Sequence, residues 1–113
     1  MKSGKEIIPP AEVARAAAKG LKLHEKFKRG GTEVGIRRAH QLAHRKPVSA
    51  EDIKAISSYF KRHAVDKDST SHKWGDTENP SAGYIAWLLW GGDAGEKWAD
   101  GVKERSSKGA EED

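Results

Sequence analysis

Seven consecutive apolar residues, Tyr84 to Trp90, stand in a chain of 113 residues of which 34% are charged. A helix with the sequence YIAWLLW has no polar face, so other elements must enclose it on every side. It is far too short to cross a bilayer, which takes about 20 apolar residues. The run therefore predicts a central buried helix, and it moves the search for function onto the elements that cover it. Three of the four tryptophans lie between Pro80 and Ala99, so most of the large apolar volume is concentrated there. A chain of this length suits one domain with one core.

Helix signals elsewhere in the chain predict an all-α, compact bundle of about five short helices around that run. Pro9 and Pro10 suit a helix start, and Val13, Ala16, Ala17, Leu23 and Phe27 recur at helical spacing from about Ala11 to Lys28, before Gly30 and Gly31 end the pattern. Thr32 suits the N-cap of a second helix of about Glu33 to His44, with Ile36, Ala39 and Ala43 turned inward. Pro47 blocks its continuation. Ser49 and Asp52 have the spacing of a capping box at the head of a third helix, about Ala50 to Ala64, whose core stripe is Ile53, Ile56 and Phe60. Asp66 to Asn79 is rich in turn formers and reads as a long loop that Trp74 pins to the body. Pro80 and Ser81 start the apolar helix, which Gly91 and Gly92 end. Asp93 and Glu96 suggest a capping box for a last helix, about Ala94 to Arg105, with Trp98 and Val102 inward. The sequence SKGAEED reads as a disordered tail or the stump of a linker, the ordered core being about residues 10–105, and no segment reads as a strand.

Charge is sorted along the chain. Met1 to Val65 carries 15 Lys and Arg against 6 acidic residues, net +9, and the remainder carries 6 against 11, net −5. An overall +4 thus conceals a basic first half, and the sequence pI of about 9.4 favours an anionic partner. On the first helix Glu12, Arg15, Lys19, Lys22, Lys26 and Arg29 recur three or four residues apart, so five cations share a continuous stripe. Lys28 follows the same stretch. On the second helix Arg37, Arg38, Gln41, His44 and Arg45 fall outside the core stripe, and Lys46 lies in the turn after it. Cations arranged in this way neutralise phosphates and gain affinity for duplex DNA by counterion release, without reading sequence. The alternative is an ordinary solvated surface. Gly30, Gly31 and Thr32 add backbone N–H groups at a helix start, where a phosphate binds well. A plain glycine stop followed by an N-cap accounts for the same residues.

Other chemistry is less well supported. The Arg45 to Val48 connection permits a helix-turn-helix, but Lys54, Ser57, Ser58 and Lys61 on the third helix make no bidentate base-reading series. His63, Asp66, Asp68 and His72 invite a metal, yet their spacing matches no defined site, and His63 reads more simply as a helix-end cation. Trp74 is one aromatic that base stacking would suit, core packing being the commoner role. No P-loop, dinucleotide fingerprint or nucleophile elbow is present, so a non-catalytic protein without cofactor or metal is expected. With no cysteine and no apolar leader in MKSGKEIIPP, the expected setting is the reducing cytoplasm, with no membrane partner.

The words GGTEVGIRRAHQL, SYFKRHAVD and NPSAGYIAWLLWGGDAGEKWA together resemble a family of small helical domains encoded by bacteriophages and metagenomic viral sequences. The resemblance runs from about Ala11 to Val102. Modules similar to these are fused ahead of the catalytic core of some phage-type ATP-dependent DNA ligases, where their implied role is DNA binding. The chain lacks the ligase adenylation motif K-x-D-G, so the resemblance implies the appended module and not the ligase. Its implied partners are double-stranded DNA, nicked duplex included, and a fused or neighbouring ligase catalytic domain. A phage structural or assembly protein that meets an acidic protein partner is the competing expectation. The DNA-contacting set expected from the charge pattern is Lys19, Lys22, Lys26, Lys28, Arg29, Gly30, Gly31, Thr32, Arg37, Arg38, Arg45 and Lys46.

Overall fold

The computed structural model describes the backbone of residues 7–68 and 74–112, and side chains within residues 7–67 and 74–105. Five α-helices occur among the described residues: α1 (Ala11–Phe27), α2 (Glu33–Ala43), α3 (Ala50–His63), α4 (Ala82–Leu89) and α5 (Gly92–Glu112), with a 3-10 turn at Ala64–Asp68 after α3. The only extended pairing among them is one antiparallel bridge between Ile7 and Val48.

Three of these helices begin on caps that satisfy their first free N–H groups. Thr32 accepts from Gly35 N, and Ser81 accepts from Tyr84 N. Ser49 and Asp52 make the full reciprocal capping box at the head of α3. The start of α5 departs from its expected cap. The helix begins at Gly92, and the Asp93 carboxylate instead accepts from the Trp87 indole N–H at 2.8 Å, because an enclosed indole donor requires an acceptor. The backbone of α5 is helical through Glu112, across the stretch that reads in sequence as a tail.

α1 and α2 form an antiparallel hairpin. The Lys28–Thr32 turn joins them at one end, and at the other the Arg45 side chain donates to the Pro9 carbonyl at 2.8 Å while Val48 N donates to Ile7 O. α4 lies along this hairpin and also touches α3 and α5, so every other helix helps to enclose it. Ile85 and Leu89 are fully buried, Trp87 is 1% exposed, and Phe60 of α3 meets the Trp87 ring edge-on at 4.6 Å. Each large side chain buried in this way contributes roughly 1.5–3 kcal/mol. Trp74 packs edge-on against Tyr84 and Trp87, which ties the segment before α4 to the core as expected. α5 packs antiparallel on α3, where the buried Ser57 hydroxyl donates to Asp100.

The crossing of α1 and α4 depends on Gly20. A Cβ there would lie 2.8 Å from the Leu89 backbone nitrogen and 3.0 Å from the Leu88 carbonyl carbon. Gly20→Ala brings about 1 kcal/mol of helix propensity. It also overpacks the contact, at a cost of roughly 1–3 kcal/mol, and backbone atoms cannot rotate aside. The variant is expected to show a lower midpoint in urea with an unchanged slope. An unaltered midpoint would mean that α4 does not press on α1 here.

Candidate nucleic-acid interface

The inward stripe of α1 (Val13, Ala17, Gly20 and Leu23) is buried, which leaves Arg15, Lys19, Lys22 and Lys26 exposed along the opposite side. Their spacing of three and four residues is the reason: successive members advance by about one helical turn and stay on one face. Lys28 continues the exposed series as the C-cap of α1, in the left-handed conformation with φ 54°. Among the described residues no ion pair engages Arg15, Lys19, Lys22, Lys26 or Lys28. Five cations therefore face solvent without a carboxylate partner among the described residues. Arg15 belongs to this series by spacing as much as Lys19 does, although the expected contact set omitted it.

The arginines divide into free and engaged groups. Arg37 is exposed, its side chain retaining 75% of its accessible area, and makes only a long 3.7 Å pair with Glu33. Arg38 is different. Its side chain is 14% exposed, it pairs with Asp52 at 2.9 Å, donates to Gln41 at 2.7 Å and lies over the Trp90 ring at 5.4 Å. The expected outer placement does not hold for Arg38, because one residue along α2 turns the side chain away from solvent and onto Trp90. Arg29 is half-buried and donates to Asn79 Oδ1 and the Pro80 carbonyl, which fastens the start of α4. Arg45 is exposed as a residue, but its Nε is committed to Pro9. Lys46 is exposed and has no ion pair among the described residues.

The glycine turn has a structural explanation. Gly30 and Gly31 have φ of 77° and 80°, a region that favours glycine. A Cβ on Gly30 would lie 2.7 Å from the Ala82 carbonyl oxygen, and one on Gly31 would lie 2.6 Å from Leu89 Cδ1. The turn is thus pressed against α4. His24 Nδ1 lies 2.8 Å from the Gly30 carbonyl and fixes it from the other side. Thr32 is exposed and spends one lone pair on Gly35 N, which leaves its O–H free to donate outward.

Two other expectations concern α3 and its end. Ser57 is fully buried on Asp100, and α3 packs on α5 and α4 instead of pairing with α2, so the two helices do not form a helix-turn-helix. His63 Nδ1 lies 3.1 Å from Asp66 Oδ2. The Asp68 side chain and His72 lie outside the described residues. No group of three or more His, Asp or Glu suited to a metal occurs among the described ones. No helix among them is long and apolar enough to cross a membrane. Comparison with protein-family models, curated proteins and solved structures finds no match.

Asp52 ties Arg38 to the acid response. Burial raises its carboxyl pKa, but the Ser49 backbone N–H together with the hydrogen bond and charge of Arg38 outweigh that and hold it below the ordinary 3.8. A carboxylate with a depressed folded pKa stabilises the fold above its unfolded pKa and loses that contribution as pH falls through the folded value. The wild-type melting temperature is therefore expected to fall below about pH 4 more steeply than that of Asp52→Asn. Arg38→Ala is expected to lower stability near neutral pH, whereas Arg37→Ala leaves it within about 0.5 kcal/mol. Equal effects of the two arginine variants on thermal melting would contradict this division.

Proposed function

We propose that the protein is a non-catalytic DNA-binding module that grips the phosphate backbone of duplex DNA with little sequence preference. The observation that carries this reading is the row of exposed cations at Arg15, Lys19, Lys22, Lys26 and Lys28, none in an ion pair among the described residues, supported by Arg37 and Lys46. Long, mobile lysine side chains on a helix surface suit a backbone interface, since phosphates demand charge and not a fixed hydrogen-bond pattern. Arg29, Arg38 and Arg45 act from behind this row. They hold the turn, the α2–α3 corner and the open end of the hairpin in place, so their contribution is to the shape of the surface. Gly30 and Gly31 shape the turn, and Thr32 offers it one hydroxyl donor.

In this proposal the module is an accessory domain of a phage-type DNA ligase, fused to or neighbouring the catalytic domain. Its work is then to keep duplex, nicked duplex included, near that domain and raise the local concentration of substrate.

The test is the salt dependence of binding to a short duplex. The logarithm of the association constant is expected to fall linearly with the logarithm of salt concentration, with a slope near −0.9 for each phosphate neutralised. Replacing Lys19, Lys22 and Lys26 together by alanine should flatten that slope by up to about 3 while leaving the melting temperature unchanged. No binding at about 50 mM salt, or an unchanged slope in the triple variant, would overturn the assignment.

A further inference from the structure

Four of the five histidines lie among the described residues, and two of them already hold protein oxygens. His24 brings Nδ1 to the Gly30 carbonyl at 2.8 Å, and His63 brings Nδ1 to the Asp66 carboxylate at 3.1 Å. Among the described residues neither His40 nor His44 has a hydrogen bond or an ion pair through its ring, and both are exposed. These two are also the pair that stand four residues apart on one helix. The turn between them is closed by the His44 N–H, which donates to the His40 carbonyl at 3.1 Å. The rings are thereby held one above the other on α2, with centroids 6.2 Å apart and planes 12° from parallel.

Two imidazoles in this arrangement suit one metal ion. Zinc holds each ligating nitrogen at about 2.0–2.1 Å, which sets two such nitrogens roughly 3.3 Å apart. Exposed rings with no partner reach that spacing by side-chain rotation, and histidines four residues apart are the pair with which a helix holds zinc in the H-E-x-x-H pattern. The surroundings select the ion. Among the described residues no carboxylate joins the two rings to make a group of three ligands, so magnesium and calcium, which need oxygen ligands, find none here. Imidazole nitrogen instead suits zinc, nickel and copper. His44 is the C-cap of α2, and the negative end of the helix dipole favours a cation there. Arg37, Arg45 and Lys46 carry like charge, but all three are exposed, where solvent and salt screen them.

We propose that His40 and His44 form a surface site for one divalent transition-metal ion of the zinc, nickel and copper class, bound through one nitrogen of each ring. The two nitrogens displace two waters of the hydrated ion, and water keeps the remaining positions. Two protein ligands are fewer than the three of a catalytic zinc site or the four of a structural one, so the ion exchanges with solvent and the fold does not depend on it. The site stands independently of the DNA reading.

The test is calorimetric titration of the full, untagged chain with zinc, nickel, copper and magnesium chlorides. The first three should bind, copper most tightly, and magnesium should not. His40→Ala and His44→Ala should each weaken nickel binding about tenfold or more, because one of the two coordinate bonds is lost. His63→Gln, which removes the ring beside Asp66, should leave nickel affinity within about twofold of wild type. Nickel should also raise the melting temperature of the wild type and of His63→Gln, since it binds the folded helix, and should leave that of either alanine variant unchanged. Without metal the two alanine variants should melt with the wild type, because the rings they remove are exposed and hold nothing. Failure of zinc, nickel and copper all to bind, binding that survives both alanine substitutions, or an equal loss in His63→Gln would overturn the site.

Discussion

The enclosure of α4 is the constraint from which the other features follow. Its seven-residue apolar run has no side that tolerates water, so α1, α2, α3 and α5 must each present it with a face. That requirement fixes where small residues have to stand. Gly20 admits the backbone of α4 against α1, and Gly30 and Gly31 let the turn after α1 lie on Ala82, Ile85 and Leu89. A bundle whose centre is a short helix has little length over which to make contact, so close approach takes the place of extent.

The same constraint sorts the charges. Side chains of α1 that are buried against the body are apolar or absent, and its exposed side carries Arg15, Lys19, Lys22 and Lys26, which make no ion pair among the described residues. On α2 the sorting is less complete, because Trp90 at the end of α4 presents a ring that attracts the Arg38 guanidinium. Arg38, Trp90, Tyr59 and His63 make successive contacts through α2, α4 and α3. This chain of rings and guanidinium ties α2 to α3 and α4, in addition to the packing of α1 on α4. Asp52 closes it from α3 by neutralising the enclosed arginine.

Much of this was legible in the sequence, for identifiable reasons. The caps at Thr32, Ser49 and Ser81 are local devices, since a side chain and a backbone N–H three residues on meet whatever the tertiary fold. The burial of Tyr84 to Trp90 follows from composition alone. What the sequence hides is long-range pairing. Nothing near Arg38 announces Trp90 and Asp52, and its neighbour Arg37, identical in type, is left exposed by a rotation of about 100° along the helix. Asp93 has the spacing of a cap, but the Trp87 indole that claims it is visible only once α4 is folded. Ser57 shares the face of Ile53, Ile56 and Phe60 at helical spacing, whereas Tyr59 lies off that stripe and is buried because Trp90 of α4 and His63 cover its ring.

The division between free and engaged cations bears directly on how such a surface would bind. Exposed lysines lose side-chain freedom when they meet phosphate, a cost that counterion release must exceed. That balance improves if the backbone beneath them is already rigid, because then only side chains have to be ordered. In this chain the rigidity comes from groups that carry charge themselves. Arg29 fastens the start of α4, Arg45 closes the hairpin against Pro9, and Arg38 locks α2 to Trp90 and Asp52. A count of basic residues therefore overstates the number that can reach an anion. Arg29, Arg38 and Arg45 build the platform, and the exposed lysines, with Arg15 and Arg37, are the charges it presents.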